Sequence, residues 1–265
     1  MLRRGSAFNG FSLEATDGKV GTITDLLFDD SSWKLRWLVV DTGTWLSERK
    51  ILIAPSALAK VDIEGRAFPI ELTRAQVEAS PSISRDEPVS MHMENELTSY
   101  YRYNNPGGQF EVGTAAAPFT PAPALRAAEH CNATTADQSD PHLRSIAEVS
   151  SYEIRAIDGT IGHLETFLID DENWTIRYLV VDTANWWIGK HVLVAPAAVT
   201  EFAWGQRFVR LNLTCYKIKG SPAWDSTSMV ERTYEQLLKI YYGWGTSGDD
   251  TKATAVAARE VKEPV

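Results

Sequence analysis

One phrase is written twice in this chain: WKLRWLVVDT at residues 33–42 and WTIRYLVVDT at residues 174–183, 141 residues apart. The same offset, without a gap, pairs Leu2-Arg3 with Leu143-Arg144, Asp17-Gly18 with Asp158-Gly159 and Asp29-Asp30 with Asp170-Asp171. It continues through Ala54-Pro55 with Ala195-Pro196, Ser80-Pro81 with Ser221-Pro222, and Tyr100-Tyr101 with Tyr241-Tyr242. About 31 of roughly 100 paired positions are identical, which is the mark of an internal duplication. The chain therefore has to fold as one module made twice, each copy of about 100 residues.

The boundaries follow from the repeat. A first module occupies 1–103, a linker 104–142, a second module 143–244 and a tail 245–265. Linker and tail are rich in Ala, Pro, Gly, Thr and small polar residues, a composition with little to bury, and both are expected to be mobile. With 44% hydrophobic and 23% charged residues, each copy has enough apolar side chain for a small core.

Inside each copy the dominant period is two. Trp33, Leu35, Trp37 and Val39 fall on one side of an extended chain and Lys34, Arg36, Leu38 and Val40 on the other; Trp174, Ile176, Tyr178 and Val180 repeat the pattern. One face is apolar throughout and the other becomes so, as in a strand buried on both faces in its second half. Further strands are expected at 11–15, 21–28, 51–53 and 67–72, with turns at Asp17-Gly18 and at 29–32. Each module then ends in a helix, since Val230, Tyr234, Leu237, Leu238 and Tyr241 recur at helical spacing and the first copy repeats this more weakly. The expected fold is mainly β: two small β-barrels in tandem, each followed by a short α-helix.

The order DG turn, then V/I-G, then FDD or IDD ahead of W-x-x-R-aromatic-L-V-V-D-T, then ILIAP or VLVAP, resembles the PRC-barrel domain over about residues 8–75 and 149–216. That domain is the cytoplasmic part of the photosynthetic reaction-centre H subunit and the C-terminal part of a ribosome-maturation factor. The resemblance implies a barrel that docks onto other proteins rather than one that catalyses. Neither specific role carries over, because the first barrel is expected to start near residue 1 without a transmembrane helix, and a second barrel stands where the maturation factor has another domain.

Candidate chemistry is weighed residue by residue. Asp29-Asp30 and Asp170-Asp171-Glu172 lack the alternation, the glycine and the twelfth-position glutamate of a calcium loop, and read as solvated turns whose Asp side chains bond their own backbone. His130, Cys131 and His142 match no zinc spacing. His92, His163 and His191 face Thr233, Thr22 and Lys50 across the duplication, so no histidine recurs. Cys215 faces Arg74, which excludes a bridge shared by the repeats, and two free thiols fit a reducing compartment. Asp41 and Asp182 end strands and read as turn-binding residues. Arg36 and Arg177 read as rim arginines that cover apolar surface or pair with a carboxylate. Nucleophile-elbow, Walker and dinucleotide-binding patterns are missing from the sequence. The expectation is a chain that is no enzyme, with no catalytic residues, no metal and no cofactor.

A formal net charge of −9 argues against binding nucleic acid and for a basic surface on the partner. No apolar run has the length of a signal peptide or a membrane span, so the chain is expected to be soluble and cytoplasmic, with no transmembrane segment. The loop after VVDT carries the candidate interface: Trp45 and Leu46 in the first copy, Trp186 and Trp187 in the second. These residues either cover a barrel end or anchor a protein partner, and pairing of the two barrels within a chain, or of chains with one another as a homo-oligomer, is the expected form of contact. The competing reading is a small-molecule or ion-binding protein, or an enzyme, using a cleft between the barrels.

Overall fold

The repeated phrase does become a strand, but it starts at Leu35 in the first copy and Thr175 in the second. The tryptophans that open the phrase are not in it. Trp33 and Trp174 take φ of 59° and 54°, the left-handed region, which cannot continue an extended chain. Each closes a turn instead, donating its N–H to the carbonyl of Asp29 or Asp170 at 2.8 Å. The assignment of Trp33 and Trp174 to a strand face is thus corrected, while Leu38, Val39 and Val40 are all buried, as a strand covered on both faces requires.

The computed structural model describes residues 1–46, 49–59, 65–81, 91–104, 142–183, 190–225, 230 and 232–244, with the side chains of 91–92 and 102–104 left aside. The expected linker, apart from Asn104 and His142, and the tail lie outside these residues. The first repeat contributes β1 (Leu2–Arg4), β2 (Ser12–Ala15), β3 (Gly18–Asp29), β4 (Leu35–Asp41), β5 (Lys50–Ile53), β6 (Ala67–Pro69), α1 (Arg74–Glu78) and α2 (Met91–Asn104). The second contributes β7 (Leu143–Ser145), α3 (Ile146–Val149), β8 (Glu153–Ala156), β9 (Gly159–Asp170), β10 (Thr175–Asp182), β11 (His191–Val194), β12 (Val199–Ala203), β13 (Phe208–Leu211), α4 (Cys215–Lys219), β14 (Ala223–Trp224) and α5 (Arg232–Tyr242).

The protein is mainly β, with two sheets among the described residues. One runs β5-β4-β3-β2-β6 and the other β12-β13-β8-β9-β10-β11-β14. Neighbours pair antiparallel except β2 with β6 and β13 with β8, which are parallel. The long strands β3 and β9 hold each sheet together, because register shifts along them let one strand pair with different neighbours at its two ends.

Two compact units result, and they cross the repeat boundary. One comprises Phe8–Ala147, and the other Met1–Ala7 with Glu148–Val265. The reason lies in the three-residue strand that opens each repeat. β1 pairs with β9 of the second repeat, and β7 with β3 of the first. Each unit is therefore completed by a strand from the other repeat.

Within the 8–147 unit the core gathers Phe8, Leu13, Ile23, Leu38, Val40, Ile51 and Phe68, with Leu97 and Tyr101 of α2. Tyr101 is fully buried with its hydroxyl donating to the Leu52 carbonyl at 2.7 Å, which satisfies the one polar atom it brings inside. In the 148–265 unit α5 buries Leu238 and Tyr242, whereas Leu237 and Ile240 of the same helix are exposed. Of the residues expected on the apolar face, Leu238 is buried and Tyr234 and Tyr241 are half-buried, while Leu237 is exposed and Tyr242 is buried.

Candidate interaction surface

The loop after VVDT folds in the first repeat into a 3-10 turn, Gly43–Leu46. Asp41 sets it up by accepting from the Gly43 N–H at 2.8 Å, the backbone role expected of this aspartate. Trp45 and Leu46 are half-buried. The Arg74 guanidinium lies over the Trp45 ring at 4.3 Å, so part of this candidate anchor is already covered by the chain itself. Trp186 and Trp187 lie outside the described residues.

Arg74 begins α1, and its position is fixed from the DG turn: Asp17 accepts the Arg74 N–H at 2.7 Å, while Thr73 and Gln76 close a reciprocal cap. The second repeat copies this device. Asp158 accepts the Cys215 N–H at 2.6 Å, and Ile157 donates to the Leu213 carbonyl at 2.9 Å. What differs is the side chains beside it. Ile157 is 69% exposed and Tyr216 is 85% exposed, where the first repeat has Thr16 and Ala75. Lys217 and Lys219 follow on α4 in place of Gln76 and Glu78. Two large apolar side chains thus flank one hydrogen-bonded corner of the second unit.

The thiol of that corner is not an activated one. The backbone N–H of Cys215 holds the Asp158 carboxyl below the ordinary range, while burial and then Asp158 push the Cys215 thiol up. A thiol held protonated is a poor nucleophile.

The acidic pairs divide their work in a way the sequence did not show. Asp29 behaves as expected, accepting the Ser31 and Ser32 N–H groups at 2.9 and 2.8 Å. Burial pushes its carboxyl up, but these and the serine hydroxyl bonds outweigh it and leave it below the usual range. Asp30 is no solvated turn residue: it accepts from Arg144 Nε at 2.6 Å and contacts His142 Nδ1 at 2.8 Å. Asp171 likewise accepts from Arg3 Nε at 2.6 Å and from the Met1 amino group at 2.5 Å. For Asp171 too, burial raises the carboxyl and these partners more than reverse it.

Arg36 and Arg177 sit where a register shift leaves one residue unpaired on β4 and on β10. Arg36 donates to Glu94 of α2 at 2.7 Å, and the neighbouring Trp37 Nε1 donates to the other oxygen of the same carboxylate at 2.6 Å. Glu94 is 2% exposed, so this carboxylate pins α2 to the sheet. In the second repeat Tyr178 donates to Glu235 at 3.3 Å and Arg177 is exposed. Burial, reinforced by Glu235, pushes the Tyr178 phenol up to about 12. Glu94 and Glu235 were legible as an identical pair at the repeat offset, but an acidic residue on an amphipathic helix reads as solvated.

Among the described residues the histidines do not converge. His163 faces Asp182 at 3.6 Å, His191 faces Glu165 at 3.1 Å, and His142 faces Asp30. His130 and Cys131 lie outside the described residues, as does the His92 side chain. Among the described residues no three His, Cys, Asp or Glu side chains gather as metal ligands would, and no helix is long and apolar enough to cross a membrane.

A sheet built on one long strand with register shifts along it, and a DG turn that caps a short helix, is the frame these side chains stand on. Residues 4–77 match the PRC-barrel domain. The match lies on the first repeat and includes β2 to β6 and most of α1. An uncharacterised protein of Deinococcus radiodurans is 32% identical over 75 residues, covering 28% of this chain and 27% of that protein. The chain thus spans about a quarter of the length of the curated relative it matches.

Proposed function

We propose that the chain is a non-catalytic protein-binding module that works in the cytoplasm, built from two PRC-type β-barrels, with the second barrel carrying the docking edge. The duplication supplies an internal control for this reading. Both repeats need the DG turn and the capped helix for their fold, so a side chain required only for folding would be of similar character in both. Thr16 and Ala75 show that the corner folds without large apolar groups, yet the second repeat exposes Ile157 and Tyr216 there. Such residues cost solubility, and tyrosine is a common interface anchor. That pair is the observation that carries the proposal.

The test puts the sister repeat's residues in their place. Full-length Ile157→Thr/Tyr216→Ala should melt as the wild type does, because the first repeat tolerates both residues. A partner captured by the wild type from native extract, and then shown to bind as a purified protein, should bind the variant at least about tenfold more weakly, as expected for the loss of two interface anchors. Equal binding of that partner by both proteins contradicts the assignment of the edge.

A further inference from the structure

Two short strands of this chain occupy equivalent places on opposite repeats. Along β9, Leu2 stands opposite Asp170, Arg3 opposite Ile169 and Arg4 opposite Leu168. Along β3, Leu143 stands opposite Asp29, Arg144 opposite Phe28 and Ser145 opposite Leu27. The repeat offset maps one set of pairs onto the other residue by residue. In both, the arginine after the leucine reaches the second aspartate of the acidic pair at 2.6 Å, Arg3 to Asp171 and Arg144 to Asp30. In both, that aspartate's own N–H donates at 3.0 Å to the carbonyl of the residue before the leucine, Met1 or His142. Each edge therefore reads an extended leucine-arginine segment by backbone register and by an arginine clamp, the strand-addition mode of recognition.

An edge of this kind has no means of telling the strand of its own chain from the same strand of another molecule. We propose that the β9 edge at Asp170 and Asp171 is a docking site for the Leu2–Arg4 strand of a second copy of this chain, which gives a reciprocal strand-exchanged dimer. Three observations favour a second copy. The resident strand is three residues long and none of them is fully buried, so it opens at far less cost than the unit unfolds. Its clamp is half-buried rather than sealed, with Arg3 24% and Asp171 15% exposed, so water can reach it as the strand lifts. The chain passes from one unit into the other between Ala7 and Phe8, so release needs a change only at that point. Every copy carries both donor and acceptor, so the exchange closes on itself as a twofold pair.

The test separates the two halves of the clamp in full-length protein. Arg3→Glu sets like charges against Asp171 within its own chain, and Asp171→Arg sets like charges against Arg3. In a mixture of the two, both exchanged contacts join opposite charges, while neither variant satisfies its clamp alone. Light scattering should find each variant at the monomer mass of 29.5 kDa and the equimolar mixture at twice that, with at least about ten times the dimer fraction of either alone. Circular dichroism melting confirms that each variant is folded, and Asp171→Lys serves as a second acceptor should Asp171→Arg not fold. Folded variants whose mixture stays at the monomer mass overturn the proposal.

Discussion

Replacing Gly162 with alanine is expected to lower the melting point of the 148–265 unit by about 12 °C or more. The new Cβ would stand 2.0 Å from the Asp182 carbonyl oxygen and 3.1 Å from the Thr183 Cα, both backbone atoms that cannot rotate away. Gly162 also takes φ of 151°, a conformation that side chains rarely adopt. Strand β10 would have to move off β9, and over-packing against backbone costs about 3 kcal/mol or more, which in a unit of about 100 residues gives a shift of that size. Gly21 meets the same crowding in the other unit, with its Cβ 2.3 Å from the Asp41 oxygen, so Gly21→Ala should act on that unit instead. Gly205→Ala, which meets nothing within 4 Å, is the control and should leave calorimetric unfolding unchanged. Equal melting of Gly162→Ala and Gly205→Ala would refute this account of the V/I-G position.

The second large effect is expected at Glu94. Alanine there takes from the buried Trp37 indole N–H its carboxylate acceptor and from Arg36 an anionic partner at 2.7 Å. Breaking a buried pair from one side costs about 3 kcal/mol, so urea unfolding of the 8–147 unit should show a loss of that order. Glu94→Gln keeps an acceptor for the indole and should lose roughly a third as much. Equal losses for the two variants would mean that packing of α2, rather than the carboxylate, holds the helix.

These effects bear on how much of the molecule could be read before it was seen. The strand of the phrase, the DG turn and the terminal helix were legible, because each has a local signal: alternation, an Asp-Gly pair, or a helical period. Trp33 and Trp174 were misplaced because the alternation runs through them, and nothing local announces a tryptophan in the left-handed region. β1 and β7 were not legible as strands at all. Three residues carry no measurable period, and their place depends on an edge far away in sequence. For the same reason Asp30 and Asp171 looked like turn residues, whereas their partners stand in the opposite repeat's opening strand. The exposed pair Ile157 and Tyr216 did have a signal, the replacement of Thr16 and Ala75 at the repeat offset, but it shows only when the copies are compared for difference rather than likeness.

The claim on which both units rest is that each is finished by a strand from the other repeat. Amide hydrogen exchange on full-length Arg3→Glu, read peptide by peptide against the wild type, tests it directly. Peptides covering 164–171 should exchange at least about tenfold faster while those covering 23–30 keep their protection, and Arg144→Glu should give the reverse pattern. Loss of protection at 23–30 in Arg3→Glu, with 164–171 unchanged, would show that β1 belongs to its own repeat and would contradict the exchange.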